Sequence, residues 1–198
     1  MYLFHICTAK KYSTCKIIVS KYNDYRFRKT TCGYVWRKKT PAIRKGDVFM
    51  HYTGTIWRPP YEAASLLLEV TAGCTHHKCK FCTLYNDLPF KFRMSPLEDI
   101  VCDLRELKGT AKGRNSGRVR RVFLTGANPF VLSFDKLTAI AELIHQYLPS
   151  VKSIGSFARI TDITPKTDEE LAGLQAMGYD GLTIGIETGD DEALRFMN

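Results

Sequence analysis

From Ser65 to Asn198 the chain repeats one pattern: a short apolar run closed by glycine, then a polar cap opening a stretch with apolar residues at helical spacing. The run Ser65–Thr71, ending at Gly73, suits a buried parallel strand. Ser95-Pro96-Leu97-Glu98 is a capping box with proline at the first helical position. Leu97, Ile100, Val101, Leu104 and Leu107 then recur on one face until Gly109. Residues 109–118 read as a polar loop. Arg121–Thr125 is a second strand, closed by Gly126. Ser133 is read as the cap of a second helix bearing Leu137, Ile140, Ala141, Ile144 and Leu148, with Pro149 at its end. Val151–Phe157 is a third strand. Thr167 and Glu170 form another capping box before Leu171, Leu174, Met177 and Gly178. Gly181–Glu187 is a fourth strand, and acids at Asp190-Asp191-Glu192 open a further helix.

Strands alternating with helices of this length imply right-handed βαβ units and a parallel sheet. Four units fit half of a barrel or part of a doubly wound sheet. Both architectures place their chemistry in the loops after the strand C-termini. Those loops start here at Gly73-Cys74, Gly126-Ala127-Asn128, Arg159 and Glu187-Thr188-Gly189.

Composition restricts the alternatives. The chain is 44% hydrophobic and 25% charged, an ordinary globular balance. It has no run of 18 apolar residues, so a spanning helix is excluded. The net charge of +9 is uneven: residues 1–49 hold 12 Lys and Arg against only Asp24 and Asp47, leaving 17 against 18 in the remainder. Any question of a nucleic acid partner therefore applies only to that leader. Residues 1–49 show no sustained period of 3.6 or 2 and could bury little core alone. They are read as a basic leader, non-native or disordered, with an RNA-binding arm as the alternative. Arg44-Lys45-Gly46-Asp47 can be encoded by a purine-rich stretch like a bacterial ribosome-binding site, which would make Met50 the true start. Residues 50–198 are read as the folded domain.

The chemistry is expected at Cys74, Cys79 and Cys82, a C-x4-C-x2-C run on the first strand-to-helix loop. A C-x2-C pair lets two thiolates converge, and a third just upstream folds over as a further ligand. Cys102, on the next helix, reads as a small buried hydrophobe. A [4Fe–4S] cluster normally takes four cysteines, so three leave one iron open to an exogenous ligand. The competing reading is a structural Cys3His zinc site completed by His76 or His77. Against zinc, the ligands fall within nine consecutive residues, whereas zinc ribbons pair two distant knuckles. Disulfides would need an oxidising compartment, which nothing in the sequence indicates.

A strand, Gly73, three closely spaced cysteines and an aromatic before the last of them (Phe81-Cys82) resemble the radical S-adenosylmethionine (SAM) superfamily over roughly Glu62 to Asn198. The commonest spacing in that family is C-x3-C-x2-C, one residue shorter than here. Leu124–Phe130 stands where the family has a Gly-Gly-Glu motif, with only Gly126 matching. Ile184–Asn198 resembles the fourth-strand segment of the coproporphyrinogen-oxidase-like and methylthiotransferase-like branches.

The resemblance implies a partial (β/α) TIM-type barrel of about four βα units, the N-terminal part of a core domain that continues beyond Asn198. It implies that Cys74, Cys79 and Cys82 ligate a [4Fe–4S] cluster whose open iron chelates SAM. Phe81 would pack near the adenine. The backbone at Gly126, Ala127 and Asn128 would hold the methionine ammonium, with the Asn128 amide oxygen as acceptor. Glu187 would accept from the ribose hydroxyls, and Arg159 would meet the SAM carboxylate. The implied reaction is reductive cleavage of SAM to a 5′-deoxyadenosyl radical that abstracts hydrogen from a substrate. An electron donor such as flavodoxin or ferredoxin is the expected partner, in an oxygen-poor cytoplasm, without membrane or nucleic acid. The alternatives are a zinc-stabilised, non-catalytic, nucleic-acid-binding module and a radical SAM enzyme acting on RNA. The substrate is not legible, since fold does not fix function.

Overall fold

The computed structural model describes residues 25–30, 33–38, 50–110 and 119–197. The chain divides into two compact units, Met1–Ile43 and Arg44–Asn198. In the first, β1 (Tyr25–Thr30) pairs antiparallel with β2 (Gly33–Lys38), with Tyr25 opposite Lys38 and Thr30 opposite Gly33. No sustained period of 2 in residues 1–49 announces this pair. The rest of the leader lies outside the described residues.

The second unit is an α/β fold. Its sheet has four parallel strands, β3 (Leu66–Glu69), β6 (Arg121–Thr125), β7 (Ser153–Ala158) and β8 (Tyr179–Ile184), adjacent in that order. Between them run α1 (Leu97–Thr110), α2 (Phe134–Tyr147), a single-turn α3 (Ile160–Ile163) and α4 (Asp168–Ala176), and α5 (Asp191–Met197) follows β8. Strand alternation sorts the side chains. Leu68, Val122, Leu124 and Ile154 join Ile100, Leu104, Leu137, Ile140 and Ile144 in the core between sheet and helices. Each such fully buried aliphatic side chain contributes about 1.5–3 kcal/mol. Leu67, Glu69, Phe123, Thr125 and Phe157 alternate onto the opposite face, where Phe123 and Phe157 meet edge to face at 4.9 Å.

The run Ser65–Thr71 divides in two. After Glu69 the chain leaves the parallel sheet, and β4 (Thr71–Gly73) pairs antiparallel with β5 (Phe92–Met94). The capping box at Thr167 forms as the sequence requires: Glu170 N–H donates to Thr167 Oγ1 at 3.2 Å, and Glu170 Oε2 accepts from Thr167 N–H at 3.0 Å. Ser133 occupies the N-cap position of α2 but makes no capping hydrogen bond with its side chain. The fourth strand starts two residues earlier than expected and stops at Ile184, before Gly185.

Residues 50–62 form a strap along the edge of β3 and over the second face of the sheet. Tyr52 donates its hydroxyl to the Leu67 carbonyl at 3.1 Å, and Thr53 bonds the buried Glu69 carboxylate through both its N–H (2.9 Å) and its hydroxyl (2.5 Å). At the far side, the Tyr61 and Thr183 hydroxyls meet at 2.5 Å. Glu62, 2% exposed, receives Arg121 bidentately at 2.7–3.0 Å. Arg121 also bonds Ser153, and Asp180 at 2.5 Å. These residues open β6, β7 and β8, at the end of the sheet that serves stability rather than chemistry.

Arg121 holds the Glu62 carboxyl below the usual carboxylate range despite its burial. Arg121→Ala is therefore expected to cost about 3 kcal/mol, because it leaves a buried carboxylate unpaired. It should appear as a lower urea midpoint at unchanged slope. The contribution is present above the ordinary glutamate pKa and lost as pH falls through the lowered one, so the variant and the parent should converge in acid.

The strap's first residues titrate in the opposite sense. Asp103, 2% exposed on α1, accepts from the His51 N–H at 2.9 Å and pairs with ring Nδ1. Burial lowers the His51 pKa, but the hydrogen bond and charge of Asp103, with the charges of Glu69 and Asp99, outweigh it and leave the pKa raised. Stability from this pair is complete below the ordinary histidine pKa and is lost as pH rises through the raised one. Asp103→Asn is expected to cost about 2 kcal/mol at pH 6 and to flatten that alkaline decline, measured by urea unfolding at a series of pH values.

Candidate active site

A cavity of about 570 Å³ opens at the C-terminal ends of the parallel strands. Cys74, Cys79 and Cys82 all line it, as do Phe81, Gly126, Ala127, Arg159 and Glu187. Local backbone chemistry sets the cysteines there. Gly73 adopts φ +79°, where a Cβ would overlap the Lys91 carbonyl, so β4 can approach its partner only with glycine before Cys74. Cys74 N–H then donates to that carbonyl at 2.9 Å. Cys82 N–H donates to the Cys79 carbonyl at 3.2 Å, a turn that brings the C-x2-C pair together. Between them, Lys80 N–H donates to the Met197 carbonyl at 2.9 Å, tying the loop to α5. His77 takes φ +50°, a left-handed conformation uncommon outside glycine, aspartate, asparagine and histidine.

All three thiols are free and half-buried. Burial raises the Cys79 pKa, with the neighbouring Cys82 and Cys74 adding to the shift. Burial, then the charges of Cys74 and Cys82, push Tyr85 up to about 12. Among the described residues, no group of three His, Cys, Asp or Glu side chains is close enough to hold one metal ion. Tetrahedral zinc, with Zn–S near 2.3 Å, would require thiolates about 3.8 Å apart. His76 and His77 do not line the cavity, and His77 Nε2 lies 3.3 Å from Asn86 Oδ1.

Asn128 stands apart from the other expected contacts. It is fully buried, does not line the cavity, and its amide is occupied. Nδ2 donates to Thr75 Oγ1 at 2.7 Å and to Asp162 Oδ2 at 3.0 Å, and Oδ1 accepts from Thr75 N–H at 3.4 Å. The buried Asp162 in turn takes the Arg159 N–H at 2.9 Å and its Nη2 at 2.8 Å. Asn128 thus clamps the residue after Cys74 to the residue that follows β7. Arg159, held by Asp162, keeps its guanidinium at the cavity wall with its pKa raised. Glu187 has φ +64°, in the left-handed region that non-glycine residues enter uncommonly.

The cavity has members the sequence reading did not single out: Trp57 from the strap, Tyr85 from the cysteine loop, Phe157 and Thr183 from the second face of the sheet, and Leu194 and Met197 from α5. Strand alternation would have found Phe157. Trp57 precedes a Pro-Pro pair in a segment with no period, and carries no local signal.

Parallel strands and helical crossovers define an α/β protein that gathers three free thiols at the C-terminal ends of its strands. The family model described as the radical SAM superfamily matches residues 68–198, and the chain belongs to that superfamily. Its members are enzymes that in general use a [4Fe–4S] cluster and SAM. No curated protein and no solved structure matches the chain. Among the described residues, no helix is long and apolar enough to cross a membrane.

Proposed function

We propose that this chain carries the cluster-binding elements of a radical SAM enzyme, with Cys74, Cys79 and Cys82 as ligands of a [4Fe–4S] cluster and the four parallel strands as part of a (β/α) barrel. The observation that carries the reading is the convergence of three free thiols on one cavity with Phe81, Gly126, Ala127, Arg159 and Glu187. The residues fit such a group. The donors are soft and of one kind, and they share a cavity roomy enough for cluster and cofactor. Held by Cys74, Cys79 and Cys82, such a cluster would supply the one-electron reductive cleavage of SAM that characterises the superfamily.

The chain's own residues bind and orient. Glu187 presents a carboxylate suited to ribose hydroxyls. Arg159 presents a guanidinium suited to the methionine carboxylate, while Asp162 fixes its direction. Backbone groups at Gly126 and Ala127 would hold the methionine ammonium, and Phe81 would offer a face for the adenine. Asn128 serves as a positioning residue, through Thr75 and Asp162, rather than as a direct contact. The apolar wall excludes water from a reactive radical. An external one-electron donor such as flavodoxin or ferredoxin belongs to the same reading, as does an oxygen-poor cytoplasm. The test is anaerobic reconstitution of the full chain: about four irons with matching sulfide per chain support the reading. A change in the electron paramagnetic resonance of the reduced protein on adding SAM supports it further. One zinc without sulfide would overturn it.

A further inference from the structure

The cysteine loop carries a local excess of positive charge on a body that has none. From Cys74 to Met94 it holds Lys78, Lys80, Lys91 and Arg93 against Asp87 alone, whereas residues 50–198 together hold 17 Lys and Arg against 18 Asp and Glu. All four cations are exposed. The three lysines stand beside the thiols through the backbone itself. Lys78 and Lys80 flank Cys79 in sequence, and the Lys91 carbonyl accepts the Cys74 N–H at 2.9 Å. Arg93 is otherwise engaged: Nη2 lies 3.4 Å from Thr53 Oγ1, and its guanidinium lies 4.4 Å over the Phe90 ring. Lys80 Nζ lies 5.2 Å from the centre of the Phe196 ring, which is exposed. The acids of α5, Asp191 and Glu192, open that helix at its opposite end, about 7–9 Å along the axis from the tie between Lys80 and Met197.

Electron transfer weakens steeply with distance. A protein that reduces a centre on these thiols must therefore press against the chain nearest them, and that chain is the cysteine loop. Its charge favours an acidic partner, whose approach it would steer and whose orientation it would fix. A nucleic acid fits less well. It is held by neutralising many phosphates along an extended track, and here three lysines sit on a nearly neutral body. We propose that Lys78, Lys80 and Lys91 form the docking site of an acidic one-electron carrier protein. This rests on the cluster reading above. In the docked pair the carrier is oxidised by one electron and the cluster is reduced by one, with no bond made or broken.

The test compares the anaerobically reconstituted full chain with its triple variant Lys78→Gln, Lys80→Gln, Lys91→Gln. The probe is an acidic flavodoxin, and reduced methyl viologen, a small cation, is the control reductant. At low salt the second-order rate of reduction by flavodoxin should fall about tenfold in the variant. The parent's rate should itself fall about tenfold between about 20 mM and about 300 mM salt, as screening shortens the reach of the lysines. Methyl viologen should reduce both proteins at rates within about threefold of each other. Oxidised flavodoxin is also titrated by calorimetry, a readout that needs no cluster, and its Kd should rise about tenfold in the variant. The basic leader is common to both proteins, so the difference reports the loop. A salt-independent flavodoxin rate, or an unchanged rate or Kd in the variant, overturns the proposal. So does a viologen rate that falls as far as the flavodoxin rate, because the lysines would then act on the cluster itself. A single-stranded RNA oligonucleotide that binds more tightly than flavodoxin, and loses that affinity in the variant, also overturns it. The three side chains are exposed, so the fold should persist, and thermal melts check this. Iron and sulfide are assayed in the same samples: their absence overturns the cofactor reading, whereas the calorimetry judges docking separately.

Discussion

Serine at Cys74, Cys79 and Cys82 together is expected to give a folded, colourless protein. The parent, reconstituted with iron and sulfide, should hold about four irons per chain, and the triple variant fewer than about 0.5. A serine hydroxyl stays protonated and hard where a thiolate is soft, so it does not hold iron in a cubane. The fold should survive, because the three thiols are half-buried on a loop and serine nearly preserves their shape. A stability change within about 1 kcal/mol is expected. That second measurement separates the two metal chemistries. A zinc staple contributes directly to folding, so its loss would lower the melting temperature of the loaded protein sharply. A triple variant as brown as the parent would remove the basis for the proposed function.

Gly126→Ala should be nearly as damaging, through geometry rather than ligation. Gly126 has φ +125°, far from the regions an L-residue prefers. A Cβ there would overlap the Thr71 hydroxyl and lie 2.5 Å from the Thr71 carbonyl oxygen. Backbone strain and overpacking together should cost about 3–5 kcal/mol. The damage should extend to the site, because the next residue, Ala127, donates its N–H to the Gly73 carbonyl at 3.4 Å, directly before Cys74. Iron loading should fall with stability. Adding Thr71→Ala removes the hydroxyl overlap but not the carbonyl one, so the double variant should recover less than half of the loss in a urea titration. Full recovery would show that the hydroxyl alone enforces glycine at this position.

The Thr167 box was legible in the sequence because its cause is local. A cap needs a hydroxyl and a carboxylate three residues apart, and both are written side by side. The core faces of α1 and α2 were legible for the same reason, since period 3.6 over fourteen residues is its own record. The division of Ser65–Thr71 was not legible. It depends on β5, some twenty residues on, drawing Thr71–Gly73 out of the parallel sheet. Nothing in the run itself marks the break at Val70. At the site, the cysteines were legible from spacing, and Arg159 and Glu187 from their places after strands. Asn128 was found as a residue that matters but not in its part, because its partners Thr75 and Asp162 are 53 and 34 residues away. Trp57 could not be found at all, since its position depends on contacts made only once the sheet exists.

The bond from Lys80 N–H to the Met197 carbonyl sets an order of events. It joins the cysteine loop to α5, across more than a hundred residues of intervening chain. Contacts of such long sequence separation form late, after the loop-closure entropy of the segments between has been overcome. On the ribosome this one fastening of the cysteine loop cannot form until Met197 has cleared the exit tunnel. Any centre assembled on those sulfurs would therefore gain this tie only after Met197 had been made.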